Sequence, residues 1–191
     1  MDRGKLSISE LSTELTEVLD CMVKESDPAA AMIAAAYVDE SLRALFQKVF
    51  VKGKTSTTLL QPGGGLGSYE IRAKLAYVMG FLTKEERTDL DTIAAIRNKF
   101  AHSYRRCSFE DPEIIGLCRQ LSSGMDYDDL QSQGWTAPGK ACYAFAAIGL
   151  ASHLQDCGRV TRHAEPSDPF EVNRESWKRV RTHPLFLKEE T

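Results

Sequence analysis

The stretch DPAAAMIAAAYVDESLRALFQKVFV, Asp27 to Val51, decides the fold. Asp27-Pro28 reads as a helix start, a carboxylate N-cap followed by proline at the first helical position. Beyond it, Val38, Leu42, Leu45, Phe46 and Val49 recur on one helical face, while Ile33, Ala36, Tyr37 and Ala44 recur on the other. A helix that is apolar on two sides belongs at the centre of a bundle, because no single neighbour can cover both. The remaining chain is therefore expected to wrap this helix.

Working outward, the helical period continues on both sides. Ile8, Leu11, Leu15, Val18, Leu19 and Met22 define an amphipathic first helix. Gln61-Pro62-Gly63-Gly64-Gly65-Leu66-Gly67 is the strongest loop signal and reads as a flexible connection between helices. A helix from about Ser68 to Met79 stops at Gly80, a natural C-cap. Thr83 with Glu86 forms a capping box that opens a helix reaching about His102. Asp111-Pro112 starts a shorter helix to about Leu121. An Ala-rich helix from Ala137 to about Cys157 is small enough along its surface to pack closely on a neighbour, and a last helix is expected around Val172 to Val180. No strand set or internal repeat is present. The expected class is all-α, a single bundle of about six to seven helices with a C-terminal helical extension. Its organisation is a helical core over 1–121, a polar and acidic linker over 122–134, and an extension over 135–191 that packs on the core.

Hydrophobic residues make up 42% of the 191 and charged residues 27%, which excludes a disordered chain and allows a core without staples. The net charge of −3 excludes a uniformly polybasic protein. That total hides a partition. Residues 41–106 carry 12 basic and 5 acidic groups, a local +7, whereas both flanking segments are acidic. RNA or DNA therefore remains a candidate partner at the basic centre. Five cysteines, an odd set without a C-x-x-C pair, read as reduced thiols. The N-terminus lacks a signal-peptide pattern and the longest apolar run, 141–151, is too short for a bilayer, so a cytoplasmic protein without a membrane span is expected.

Several chemical signals fail on spacing. Gly53-Lys54-Thr55 lacks the glycine that a phosphate loop needs five positions earlier, where Lys48 stands. The glycines at 63–67 do not satisfy G-x-G-x-x-G, and no G-x-S-x-G elbow occurs. His153 and Cys157, one turn apart, have no second pair to complete a tetrahedral site. Neither a metal nor a cofactor is expected. Trp135 and Trp177 read as packing residues.

One stretch carries chemistry. In Arg97-Asn98-Lys99-Phe100-Ala101-His102, Arg97 falls on the apolar arc made by Leu90, Ile93, Ala94, Phe100 and Ala101, so its charge requires a partner. The first reading is a structural ion pair with Glu40 on the central helix, which fixes helix register without chemistry. The second is a site in which His102 accepts a proton from an RNA 2′-hydroxyl and Arg97 stabilises the developing charge, with Asn98 beside them. Five residues separate Arg97 from His102, about 140° around a helix, so a dimer would focus them better than one chain. Arg72 and Lys74 after the glycine loop, with Arg105 and Arg106 after the hexapeptide, are candidate anion contacts.

Several of these features stand in one order. Leu66-Gly67, Arg72-x-Lys74-Leu75-x-Tyr77-x-x-Gly80, Arg97 to His102, and Phe109-x-Asp111-x-Glu113-Ile114, with Glu40 and Val49-Phe50 before them, resemble the mannitol operon repressor family over residues 30–121. The resemblance implies a cytosolic, all-helical, dimeric transcriptional regulator. It supplies no helix-turn-helix, so action through a protein partner is expected rather than operator reading. The hexapeptide also resembles the R-x4-6-H motif of HEPN domains. That similarity implies, as the alternative, a metal-independent endoribonuclease or RNA-binding toxin component in which Arg97, Asn98 and His102 are catalytic. The regulator reading, without enzymatic activity, leads.

Overall fold

Helix α2, Asp27–Val49, runs through the centre of the molecule and buries Ala30, Ala31, Ala34, Val38, Leu42, Leu45, Phe46 and Val49. The computed structural model describes residues 13–102 and 107–165, with side chains from residue 16 onward, and the expected helix at 172–180 lies outside these. Eight helices make up the described residues, without strands: α1 Thr13–Lys24, α2, α3 Lys54–Leu60, α4 Tyr69–Val78, α5 Lys84–His102, α6 Pro112–Cys118, α7 Tyr127–Ser132 and α8 Pro138–Val160. The fold is an all-α bundle. Helix α8 lies along α2 in the most extensive contact of the molecule, with α5 on α2's other flank and α1 bridging α2 and α8. One apolar face of α2 is buried as expected. On the other, Ala36 and Glu40 are exposed, and Ile33, Tyr37 and Ala44 are half-buried. No helix among the described residues is long and apolar enough to cross a membrane.

The local signals work as their chemistry dictates. Thr83 and Glu86 form the capping box in both directions, Thr83 N donating to Glu86 Oε2 (2.8 Å) and Glu86 N to Thr83 Oγ1 (3.2 Å). Gly80, at φ +78°, ends α4, and Phe81 N then donates back to Ala76 O at 3.0 Å. Asp27 behaves differently from its expected N-cap role. Ser26 occupies that position, and the Asp27 carboxylate instead accepts from Ser108 Oγ (2.9 Å) and Phe109 N (3.1 Å), with Lys140 Nζ 3.6 Å away. It ties the start of α2 to the loop before α6 and to α8.

Two short helices were not expected: α3, just before the glycine segment, and α7, within the stretch read as a linker. Helix α3 has three threonines in seven residues, a poor helix-forming composition. Helix α7 buries only Tyr127 and Leu130, one apolar step that cannot establish a period. Its N-cap Asp126 accepts from Asp128 N and Asp129 N at 2.9 and 3.1 Å.

The small residues of α8 exist for backbone contact. A Cβ on Gly149 would lie 2.2 Å from Ser123 O, and one on Gly139 would lie 2.6 Å from Phe109 O. In turn, a Cβ on Gly124 would meet Ala146 N at 2.5 Å. The 122–124 segment cannot retreat, because the buried Asp89 carboxylate of α5 accepts from Ser122 N (3.0 Å), Ser123 N (2.7 Å) and both serine hydroxyls (3.0 and 2.5 Å). Tyr143 of α8 completes the centre, donating to Ala31 O of α2 at 3.0 Å and approaching Ile93 O of α5 at 3.4 Å.

Gly149→Ala is accordingly expected to destabilise the fold by about 1–3 kcal/mol, overriding alanine's helix preference. Gly116→Ala in α6, whose Cβ would meet nothing within 4 Å, is expected to stabilise it by about 0.5–1 kcal/mol. Urea unfolding midpoints of the two variants check both signs.

Candidate functional site

Helix α4 is inside out. Its buried residues are Arg72, Ala73 and Ala76, while Ile71, Tyr77, Val78 and Met79 at its end lie exposed. The inward position of Arg72 follows from its neighbours. Ala73 and Ala76 let α4 approach α2 and α5 closely, and the residue beside them is carried in with them. At 1% exposure Arg72 is the largest fully buried side chain of the described residues. Its Nη2 pairs with Asp39 of α2, and its Nη1 donates to Leu66 O at 2.6 Å. A guanidinium buried without such partners would be very costly. Thus the charge-bearing pair expected in this bundle exists, between different residues.

The expected pair was Glu40 with Arg97. Glu40 is exposed and sits with Arg43 one turn along α2, Nε to Oε2 at 3.6 Å. One step along a helix turns a side chain by about 100°, which separates the inward Asp39 from the outward Glu40. Arg97 is half-buried, and its Nε is enclosed without a hydrogen-bond partner. Its charge acts on the buried hydroxyls of Tyr69 and Tyr143, opposing the upward pKa shift that burial imposes on both. Tyr69 Oη is committed as a donor to Leu90 O at 2.9 Å, which anchors the start of α4 on α5.

The glycine segment is built around the same guanidinium. Leu66, which supplies the carbonyl, donates its own N–H to Leu59 O at 2.9 Å, and Gly64 N and Gly67 N close successive turns at 2.8 and 2.9 Å. A Cβ on Gly64 would lie 2.3 Å from Thr58 O, and one on Gly67 2.5 Å from Gln61 O. These glycines serve close approach rather than the flexibility expected of them. Arg72 is likewise not the anion contact proposed for it, since no face of it reaches solvent. Lys74 is exposed but is paired with Glu70 at 2.5 Å. Arg105 and Arg106 lie outside the described residues.

The remaining residues of the hexapeptide are not brought together. Asn98 and His102 are exposed, and His102 lines a shallow depression with Lys99, Cys107, Asp111, Glu113 and Ile114, without Arg97. Lys99 is paired with Glu113 there. Burial and the nearby Asp111 hold the Cys107 thiol above its ordinary range, which disfavours the nucleophilic thiolate. Cys118 and Cys142 are pushed up to about 12 by burial. This arrangement does not support the nuclease reading. No group of three or more metal-ligating side chains occurs among the described residues. His153 Nε2 instead meets Phe81 O at 2.8 Å and lies 3.7 Å from Glu86 Oε1.

Sequence reasoning missed Asp39 and Asp89, the two carboxylates that hold the polar interior. The signal for Arg72 was available in the alanines beside it, but the larger apolar residues of α4 pointed the other way. Nothing local marks Asp89, whose serine donors lie more than thirty positions away.

Fold and site together define an all-helical bundle whose buried polar groups bind helices and loops to one another. The chain belongs to the mannitol repressor family, whose profile matches residues 15–142. Mannitol operon repressors of Escherichia coli strain K12 and of Escherichia coli O6:H1 strain CFT073 are each 27% identical to it over 129 residues, covering 62% of this chain and 66% of theirs. The chain thus spans just under two thirds of the length of these curated relatives. A chain in the X-ray structure of the MtlR-HPr complex from Escherichia coli shares the fold, with a TM-score of 0.57 at 20% identity, over 77% of this chain and 99% of that one.

Asp39→Ala is expected to cost about 3 kcal/mol by stranding a buried guanidinium. The adjacent Glu40→Ala should stay within about 0.5 kcal/mol. Adding Arg72→Met to Asp39→Leu should recover most of the stability lost by Asp39→Leu alone, and chemical denaturation of this series measures each difference.

Proposed function

We propose that this chain is a homodimeric transcriptional regulator of the mannitol repressor type that acts in the cytoplasm through protein contacts, with an HPr protein as its partner. The observation that carries the reading is the family match over residues 15–142, joined to a fold shared with a chain of an MtlR-HPr complex. The helices themselves favour protein contact over operator reading. Among the described residues, turns of two to five residues join α1 to α2, α2 to α3, α4 to α5 and α7 to α8. Of the helices that follow them, α2 and α8 are committed to the core and α3 has seven residues, which leaves α5 as the candidate reading helix. The exposed residues on the first two turns of α5 are Lys84, Glu85, Thr88 and Asp91, and two carboxylates among four would repel a phosphate backbone. The rest of α5 is committed to the core through Leu90, Ile93, Ile96 and Phe100.

Isothermal titration of the purified protein with HPr, and with an operator fragment from its own mannitol operon, separates the two modes. Saturable binding to HPr is expected, with only weak, salt-sensitive and sequence-indifferent binding to DNA. Tight, sequence-specific operator binding without HPr affinity would contradict the proposal.

A further inference from the structure

Folding neutralises part of the positive charge that the sequence concentrates in residues 41–106 and gathers much of the rest. Arg43, Arg72, Lys74, Arg87 and Lys99 are each paired with a carboxylate. Lys48, Lys52, Lys54, Lys84 and Arg97 form no ion pair with a described residue. Lys84 has Glu85 beside it and Arg97 is half-buried. The other three are exposed and share one corner of the molecule, where α2 ends and α3 begins.

Helix α8 brings more charge to the same corner. It runs parallel to α2. At their starts Lys140 reaches Glu25 O and Asp27, and at their ends a Cβ on Gly158 would lie 3.7 Å from Lys48 Cγ. The chain leaving α8 then follows the chain leaving α2, with Ala164 N donating to Val49 O at 2.8 Å and His163 Nδ1 meeting Phe50 O at 3.2 Å. Arg159 and Arg162 are thereby set beside Lys48, Lys52 and Lys54. The carboxylates of these segments are Asp156, which pairs with Arg159, and Glu165. Some positive charge is expected here, because two parallel helices end together with about half a negative charge each. Five cations against two carboxylates exceed that need and leave an excess of roughly two positive charges.

The composition of the corner selects its ligand. The core of a protein interface is built on aromatic and other apolar anchors and is poor in lysine. Here three of the five cations are lysines, no exposed aromatic side chain stands among them, and Val160 is the one large exposed aliphatic residue. Lysines are flexible point charges, suited to a row of phosphates more than to one planar carboxylate. Thr55, exposed next to Lys54, adds a neutral hydroxyl of the kind that donates to phosphate oxygens. Contacts of this sort hold the backbone of a duplex without reading its sequence.

We propose that the corner formed by Lys48, Lys52, Lys54, Arg159 and Arg162 binds the phosphate backbone of duplex DNA without sequence preference. The proposal rests on the reading above, in which DNA binding is weak and sequence-indifferent, and names the surface that makes it. A regulator whose specificity comes from a protein partner is thereby kept on the DNA. Three to four phosphate contacts weaken binding roughly 40- to 150-fold as salt rises from about 50 to about 200 mM.

Fluorescence anisotropy of a labelled random-sequence duplex, titrated with the full chain over that range of salt, tests this. Lys52→Glu/Lys54→Glu reverses two exposed cations, and glutamate suits the first turn of α3, so circular dichroism should show this variant folded as the parent. Lys24→Glu/Lys74→Glu makes the same change in net charge at two exposed cations outside the corner. The parent is expected to bind with a dissociation constant between about 10⁻⁶ and 10⁻⁴ M at the lowest salt. Lys52→Glu/Lys54→Glu should bind at least about tenfold more weakly with a shallower salt dependence, and Lys24→Glu/Lys74→Glu within about threefold of the parent. A folded Lys52→Glu/Lys54→Glu variant that binds as the parent does overturns the proposal. So does an equal loss in Lys24→Glu/Lys74→Glu, which makes net charge and not this corner responsible. Titration with HPr separates the inference from the reading it rests on. A parent that binds HPr but not the duplex overturns the inference alone, and a parent that binds neither overturns that reading with it. Loss of HPr binding in the folded Lys52→Glu/Lys54→Glu variant assigns the corner to the protein partner and likewise overturns the proposal.

Discussion

The bridge from Asp39 through Arg72 to the Leu66 carbonyl is the interaction on which the outer half of the bundle depends. Helix α4 buries no large apolar side chain of its own; Ala73 and Ala76 supply little hydrophobic driving force. To the partial packing of Tyr69 and Leu75 on the core are added polar ties: a guanidinium that spans α2 and the glycine segment, and the Tyr69 hydroxyl on Leu90 O. The exchange is coupled in both directions. Arg72 remains charged in the interior because Asp39 and Leu66 meet it, and the glycine segment keeps its shape because Arg72 claims its carbonyl.

The inner half is held by a different device. Helix α8 is apolar and finely graded in side-chain size, so that loops rather than side chains can lie against it. Gly139 admits the Phe109 backbone and Gly149 the Ser123 backbone. A loop brought so close to a helix buries its own polar groups, and these must be satisfied. Asp89 does this for Ser122 and Ser123, as Asp27 does for Ser108 and Phe109. Two buried or half-buried carboxylates thus allow an alanine-rich helix to serve as the floor for two loops.

Much of this was legible in the sequence. The doubled apolar pattern of residues 27–51 located the central helix, and the Thr83–Glu86 box and Gly80 marked their helix ends because capping is a local interaction between residues a few positions apart. The site was less legible for the complementary reason. Arg72 and Asp39 are 33 positions apart, and the choice between Asp39 and Glu40 is a rotation of about 100° that no local pattern records. Periodicity placed α4 without saying which face turns inward, and its large aliphatic residues Ile71, Val78 and Met79 lie outward while Arg72 lies inside. The hexapeptide misled in a simpler way. An arginine on an apolar arc must find a suitable environment, but Arg97 finds buried tyrosines and not a carboxylate.

The Asp39–Arg72 bridge ties α4 and the glycine segment to an otherwise self-sufficient core. Amide hydrogen exchange of Asp39→Asn, followed residue by residue, tests this most directly. Protection should fall together across residues 61–78 while α8 and the buried half of α5 exchange as in the parent protein. If α4 keeps the protection of the parent, or if every helix loses protection equally, the bridge is not what holds this half of the molecule in place.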